Sequence, residues 1–156
     1  MTSNNTLFGT PWFWTAFISW ILAQSIKMIT DFVRTGRLDL SYLGSTGGMP
    51  SAHSALVSGM ATSLGLTEGF ADPITILAVC VAGITMFDAA GVRNAAGHQA
   101  RILNKMMDEI FRERRFNEAR LKELLGHTRL EVFMGMLTGI LVGMLVVSRW
   151  PGALRG

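Results

Sequence analysis

The chain has 156 residues, of which 49% are hydrophobic and only 16% charged, with a formal net charge of +3 and a mean hydropathy of +0.36. A soluble domain carries about 25% charged residues, so an ordinary water-facing surface is excluded by the deficit. The composition points to one membrane domain over residues 1–156, with membrane lipids and no nucleic acid as partners.

The first ten residues hold no Lys or Arg, so no positive n-region of a cleavable signal is present. The first apolar segment, "PWFWTAFISWILAQSI" at 11–26, is therefore expected to stay as an anchor, with Trp12 and Trp14 at one membrane interface. The second, "AHSALVSGMATSLGL" at 52–66, is the shortest and fits either a span or a re-entrant helix. The third, "ITILAVCVAGITMFDAAGV" at 74–92, contains the single Cys80, expected as a small buried hydrophobe. A polar insert at about 97–126 follows. Ile102, Met106, Ile110 and Phe111, then Leu121, Leu124 and Leu125, have helical spacing, so two amphipathic surface helices are expected. The fourth apolar segment, "VFMGMLTGILVGMLVV" at 132–147, repeats small residues every fourth position at Gly135, Gly139 and Gly143. Such a stripe lets backbones approach closely in lipid, within the chain by preference or through a homo-oligomer.

The expected architecture is an all-α integral membrane bundle of about four transmembrane helices with amphipathic surface helices. A soluble helical bundle is the alternative. With four spans, only Arg149 and Arg155 of the 14 Lys and Arg residues fall on the side of the N-terminus. The positive-inside rule places the other side, with the polar insert, in the cytoplasm of a bacterial plasma membrane.

That same side collects polar groups from every span. The first segment exits with Lys27, Asp31 and Arg34; the second begins at Ser51-Ala52-His53; the third exits with Asp88 and Arg93; the fourth begins at His127 with Glu131 one turn on. Ionisable groups at membrane depth are functional candidates. Two helix N-termini offer free amides to an anion, and Gly47-Gly48 lets a backbone come close. Pro50 suits a first helical turn. Lys27, Arg34 and Arg93 supply positive charge, although Lys27 and Arg34 also fit side chains snorkelling to headgroups. His127 and Glu131 share a helix face at i, i+4, and a carboxylate on one ring nitrogen makes the other a better nucleophile. His127 would attack phosphorus and His53 would protonate the leaving alkoxide. A metal is disfavoured by the surrounding cations, and no cofactor is expected.

The order of these residues resembles the type 2 phosphatidic acid phosphatase superfamily, which is related to the vanadium-dependent haloperoxidases. Lys27-MITDFV-Arg34 is similar to its K-x6-R element, "PSAH" at 50–53 to P-S-G-H, and "HTRLE" at 127–131 to H-x3-D. Ala52 stands for Gly, Glu131 for Asp, and Arg93 follows Val92 rather than Ser, far ahead of His127. "GGMPSAHSA", "FDAAGVRNAAGHQARILN" and "GHTRLEVFMGMLTGI" look like the small divergent branch of that superfamily. The resemblance implies metal-independent hydrolysis of a lipid phosphate through a phosphohistidine. His127 would be the nucleophile, Glu131 its orienting partner and His53 the general acid. Lys27, Arg34, Arg93, Ser51 and the Gly48 amide would hold the phosphate. The competing reading is a catalytically silent protein that binds or translocates phospholipids through the same basic pocket.

Overall fold

A computed structural model describes residues 6–36, 48–110 and 127–153. A short 3-10 turn (Leu7–Gly9) leads into α1 (Pro11–Thr35). Then come α2 (Ala52–Thr67), α3 (Pro73–Ala90), α4 (Val92–Ile110) and α5 (Arg129–Arg149). There is no strand among the described residues.

Each helix starts where its sequence supplies a terminus. Pro11 occupies the first turn of α1, where a missing N–H costs nothing, and α1 ends on Gly36 at φ +67°. The Asp72 carboxylate accepts from the Ile74 N–H to cap α3, with Pro73 next in line. Thr128 and Glu131 close a reciprocal capping box on α5. Trp14 anchors the start of α1 by donating its indole N–H to the Phe8 carbonyl at 2.8 Å.

The bundle is inverted relative to a soluble one. The buried face of α1 carries Thr15, Ser19, Ala23 and Lys27 at four-residue spacing, while Phe17, Ile18, Ile21 and Leu22 point outward. On α3 the buried residues are Thr75, Ala78, Ala82 and Ala89, with Ile74, Leu77, Ile84 and Phe87 exposed. Large apolar side chains outside and small ones inside are stable where the solvent is lipid. The chain is a membrane protein in which α1, α5 and the run containing α3 are long and apolar enough to cross a bilayer. Cys80 lies on the exposed face of α3, not in the interior, because the inside positions of this helix are set by small residues three and four apart.

The central helix is α2, which packs on α5, α1 and α3. Its 16 residues reach about 24 Å at 1.5 Å each, somewhat less than the ~30 Å hydrocarbon layer. It needs little outward-facing apolar surface because its neighbours cover it. Gly135, Gly139 and Gly143 all face it: an added Cβ at Gly139 would collide with the Ala55 carbonyl and the Ser58 hydroxyl, and at Gly143 with Thr62 at 2.9 Å. The glycine stripe thus faces α2 within the chain.

One boundary differs from the sequence-based expectation. The amphipathic stretch begins at Val92, directly after Gly91 ends α3, so Arg93 stands in the first turn of α4 instead of the exit of α3. The helix around Leu121, Leu124 and Leu125 falls outside the described residues.

Candidate functional site

His127 is the centre of the site. It sits just before the Thr128 cap of α5 and is buried, 2% exposed. Its Nδ1 lies 3.2 Å from Glu131 Oε2. The same carboxylate oxygen accepts the Thr128 N–H at 2.9 Å, and the Glu131 N–H donates to Thr128 Oγ1 at 3.3 Å. Glu131 therefore fixes both the helix start and the histidine ring. With the carboxylate ionised, Nδ1 carries the proton and Nε2 holds the reactive lone pair. The T-x-x-E signature of that capping box is present in "HTRLE", overlapping the His–carboxylate pair. Such a cap contributes about 1 kcal/mol.

Burial holds the His127 imidazole below its ordinary value of 6.5. The Glu131 hydrogen bond opposes that shift, and the positive Lys27 and neighbouring His53 add to it.

The "GGMPSAH" loop is tied to the same place by its backbone. The Ser51 N–H donates to the Glu131 carbonyl at 3.0 Å, joining the start of α2 to the start of α5. Ser51 caps α2, so Pro50 stands before the helix and not in its first turn. Its fully buried hydroxyl accepts from the Ser54 N–H at 3.4 Å and from Ser54 Oγ–H at 3.0 Å. A Cβ on Gly135 would strike the Ser51 carbonyl, so the glycine permits this approach. His53, in the first turn of α2, is exposed, and its ring centroid lies 6.5 Å from that of His127 with the planes at 62°. The two rings stand edge to face, with Nε2 of His127 buried.

Lys27 enters from α1. It is 4% exposed, and its stem lies across Gly48, whose φ of +92° suits glycine. A Cβ at Gly48 would sit 3.1 Å from Lys27 Cγ. The glycine is needed both for its backbone angle and for the passage of the lysine chain. Snorkelling to the headgroups is not the arrangement of Lys27, which stays inside the bundle beside Glu131 and His127. The structure thus brings together Lys27, Gly48, Ser51, His53, His127 and Glu131, from three helices and one loop. Arg34 lies in the last turn of α1 and Arg93 in the first turn of α4; their side chains, and Gly47, lie outside the described residues. His98 is exposed on α4. No three of His, Cys, Asp and Glu among the described residues gather closely enough to hold a metal ion.

A family model, Divergent PAP2 family, matches residues 8–142. The uncharacterized membrane protein YuiD of Bacillus subtilis (strain 168) is 44% identical, over 78% of this chain and 84% of that protein. No solved structure matches the chain.

Proposed function

The chain belongs to the Divergent PAP2 family, and from that premise we propose that it is a membrane lipid-phosphate phosphatase working through a phosphohistidine. The observation that carries this reading is the buried His127, oriented by Glu131 and facing His53 across 6.5 Å. In the first step Nε2 of His127 forms a bond to phosphorus as the bond to the lipid alkoxide breaks. Protonated His53 gives its proton to that alkoxide. In the second step water, deprotonated by His53, displaces His127 from phosphorus and inorganic phosphate leaves. Lys27, with Arg34, Arg93 and the amide of Gly48, would neutralise charge on the transferring group, which is where phosphoryl transfer is mainly catalysed. Phosphatidic acid, phosphatidylglycerol phosphate and a polyprenyl phosphate all present the required monoester.

The test is phosphate release by purified protein from a panel of these lipids. The nucleophile must be neutral, and burial lowers its pKa, so the neutral form persists into mildly acidic solution. The acid limb assigned to His127 is therefore expected below pH 6.5, the ordinary imidazole value. An acid limb above that value would remove His127 as the group that titrates. Saturable lipid binding with no turnover would instead support the silent, phospholipid-binding reading.

The site and the polar insert are proposed to face the cytoplasm of a bacterial plasma membrane. Apart from Arg149 and Arg155, the Lys and Arg residues group on that side of the four-segment topology. With Cys80 replaced by serine, Arg112→Cys is expected to resist a membrane-impermeant maleimide in intact cells and to react after permeabilisation. Labelling in intact cells would reverse the orientation.

A further inference from the structure

α2 and α5 run side by side in the same direction, since Gly135, Gly139 and Gly143 of α5 meet Ser51, Ala55 and Thr62 of α2 in rising order. Their N-termini share the end of the bundle that holds His53 and His127. Their C-termini share the other end, about 30 Å away along the 21 residues of α5. Two helix N-termini favour an anion; two C-termini, whose last carbonyls carry partial negative charge, favour a cation. A pocket of about 260 Å³ opens at this second end. Pro11 and Trp12 come to it from the start of α1, Thr67 and Glu68 from the end of α2, and Trp150 and Pro151 from the end of α5. Among the lining residues the one charged group is the exposed Glu68 carboxylate. The Trp12 indole N–H is committed to Thr67 Oγ1 at 2.7 Å, so what that ring offers a ligand is its π system.

Two indoles and a carboxylate at a carbonyl-rich end suit a diffuse organic cation, an alkylammonium, which the negative faces of aromatic rings attract. The charge reverses one side chain away. Trp150 also borders a shallow depression of about 360 Å³ lined by Leu145, Val146 and the exposed Arg149. The Arg149 guanidinium is the group that matches phosphate oxygens, and Leu145, 60% exposed, lies about one turn deeper along α5. Among the described residues neither Glu68 nor Arg149 is held in an ion pair. A negative pocket and a positive rim thus share one tryptophan, with apolar surface leading away from them into the lipid. We propose that this end of the bundle holds the zwitterionic headgroup of a phospholipid from the leaflet on the N-terminal side. Its ammonium lies with Trp12, Trp150 and Glu68, and its phosphodiester lies on Arg149. Glu68 turns away headgroups that lack the ammonium. Such a lipid carries no phosphomonoester, so it is a bound partner and not a substrate, and the claim stands apart from the phosphatase reading.

The test uses protein with Trp14 and Trp20 replaced by phenylalanine, so that the two remaining indoles, Trp12 and Trp150, both line the pocket. In maltoside detergent it is titrated with phosphatidylcholine or phosphatidylglycerol brominated on the acyl carbons nearest the headgroup, where bromine quenches an indole at near contact. Phosphatidylcholine is expected to quench saturably, at a several-fold lower mole fraction than phosphatidylglycerol. Glu68→Gln, which removes the charge and keeps the shape, should bring the two lipids level. Arg149→Gln should weaken both, since both carry the phosphate. Both side chains are exposed, so neither change disturbs the packing of the helices. Choline chloride should displace the brominated lipid poorly, because it has no phosphate for Arg149. Equal quenching by the two lipids before either substitution would overturn the proposal, as would a preference for phosphatidylcholine that survives Glu68→Gln. Complete displacement by millimolar choline, unaltered by Arg149→Gln, would also overturn it and give the pocket to a soluble ammonium compound. None of these readings depends on phosphate release, so the site stands or falls without His127.

Discussion

Replacing His127 with alanine is expected to lower phosphate release from a lipid phosphate by on the order of 10⁴-fold or more, the scale on which enzymes lose a covalent nucleophile. The loss should appear in kcat, because the ring does its work on the transferring phosphorus and not on the lipid tail. His53→Ala separates the two histidines by their chemistry. A general acid contributes about 10²–10⁴-fold when the leaving group is a poor one. Against a lipid alkoxide His53→Ala should therefore cost a loss of that order. Against p-nitrophenyl phosphate, whose leaving group departs without a proton, the first step should be nearly indifferent to His53. Glu131→Gln should fall between them, since glutamine can still occupy the cap but no longer supplies the charge that holds Nδ1–H. Circular dichroism of each variant checks the fold. If His127→Ala and wild type release phosphate equally, the phosphohistidine mechanism is wrong.

The pattern of apolar runs predicted the helices well because lipid imposes it on any crossing segment. The runs at 11–26, 74–92 and 132–147 lie in α1, the α3 run and α5, and the short second run is α2. The inside of the bundle was harder to read, because in lipid hydrophobicity no longer marks burial. Cys80 was assigned to the interior on its neighbours' hydrophobicity, and it faces outward. Lys27 looked as much like a snorkelling side chain as a ligand, and only the path across Gly48 distinguishes them. The His127–Glu131 pair was legible because i, i+4 spacing is local. The approach of His53 to His127 was not, since it depends on the Ser51–Glu131 backbone bond and on how closely α2 lies on α5.

The close approach of α2 and α5 leads to the second large expected effect, on stability. A Cβ at position 139 would meet backbone on the opposite helix: the Ala55 carbonyl, and the Gly59 nitrogen at 2.7 Å. Backbone inside two packed helices cannot turn aside as a side chain can, so the helices must separate. Overpacking of a well-fitted core costs typically about 1–3 kcal/mol, and although the Ser58 hydroxyl also in the way could turn aside, the two backbone atoms cannot. Gly139→Ala is therefore expected to destabilise by about 3 kcal/mol, the upper end of that range, read as earlier thermal loss of the monodisperse peak in detergent. Gly83→Ala on α3 is the control. Nothing lies within 4 Å of its added Cβ, and alanine favours the helix by about 0.5–1 kcal/mol over glycine. It should leave the protein equal or slightly more stable. The same separation at Gly139, transmitted two turns along α5, would pull on the Ser51–Glu131 bond and move His53 away from His127. Gly139→Ala should thus lose activity at temperatures where it is still folded, without touching a site residue. Equal thermal behaviour of Gly139→Ala and Gly83→Ala would show that α2 and α5 do not meet at this glycine.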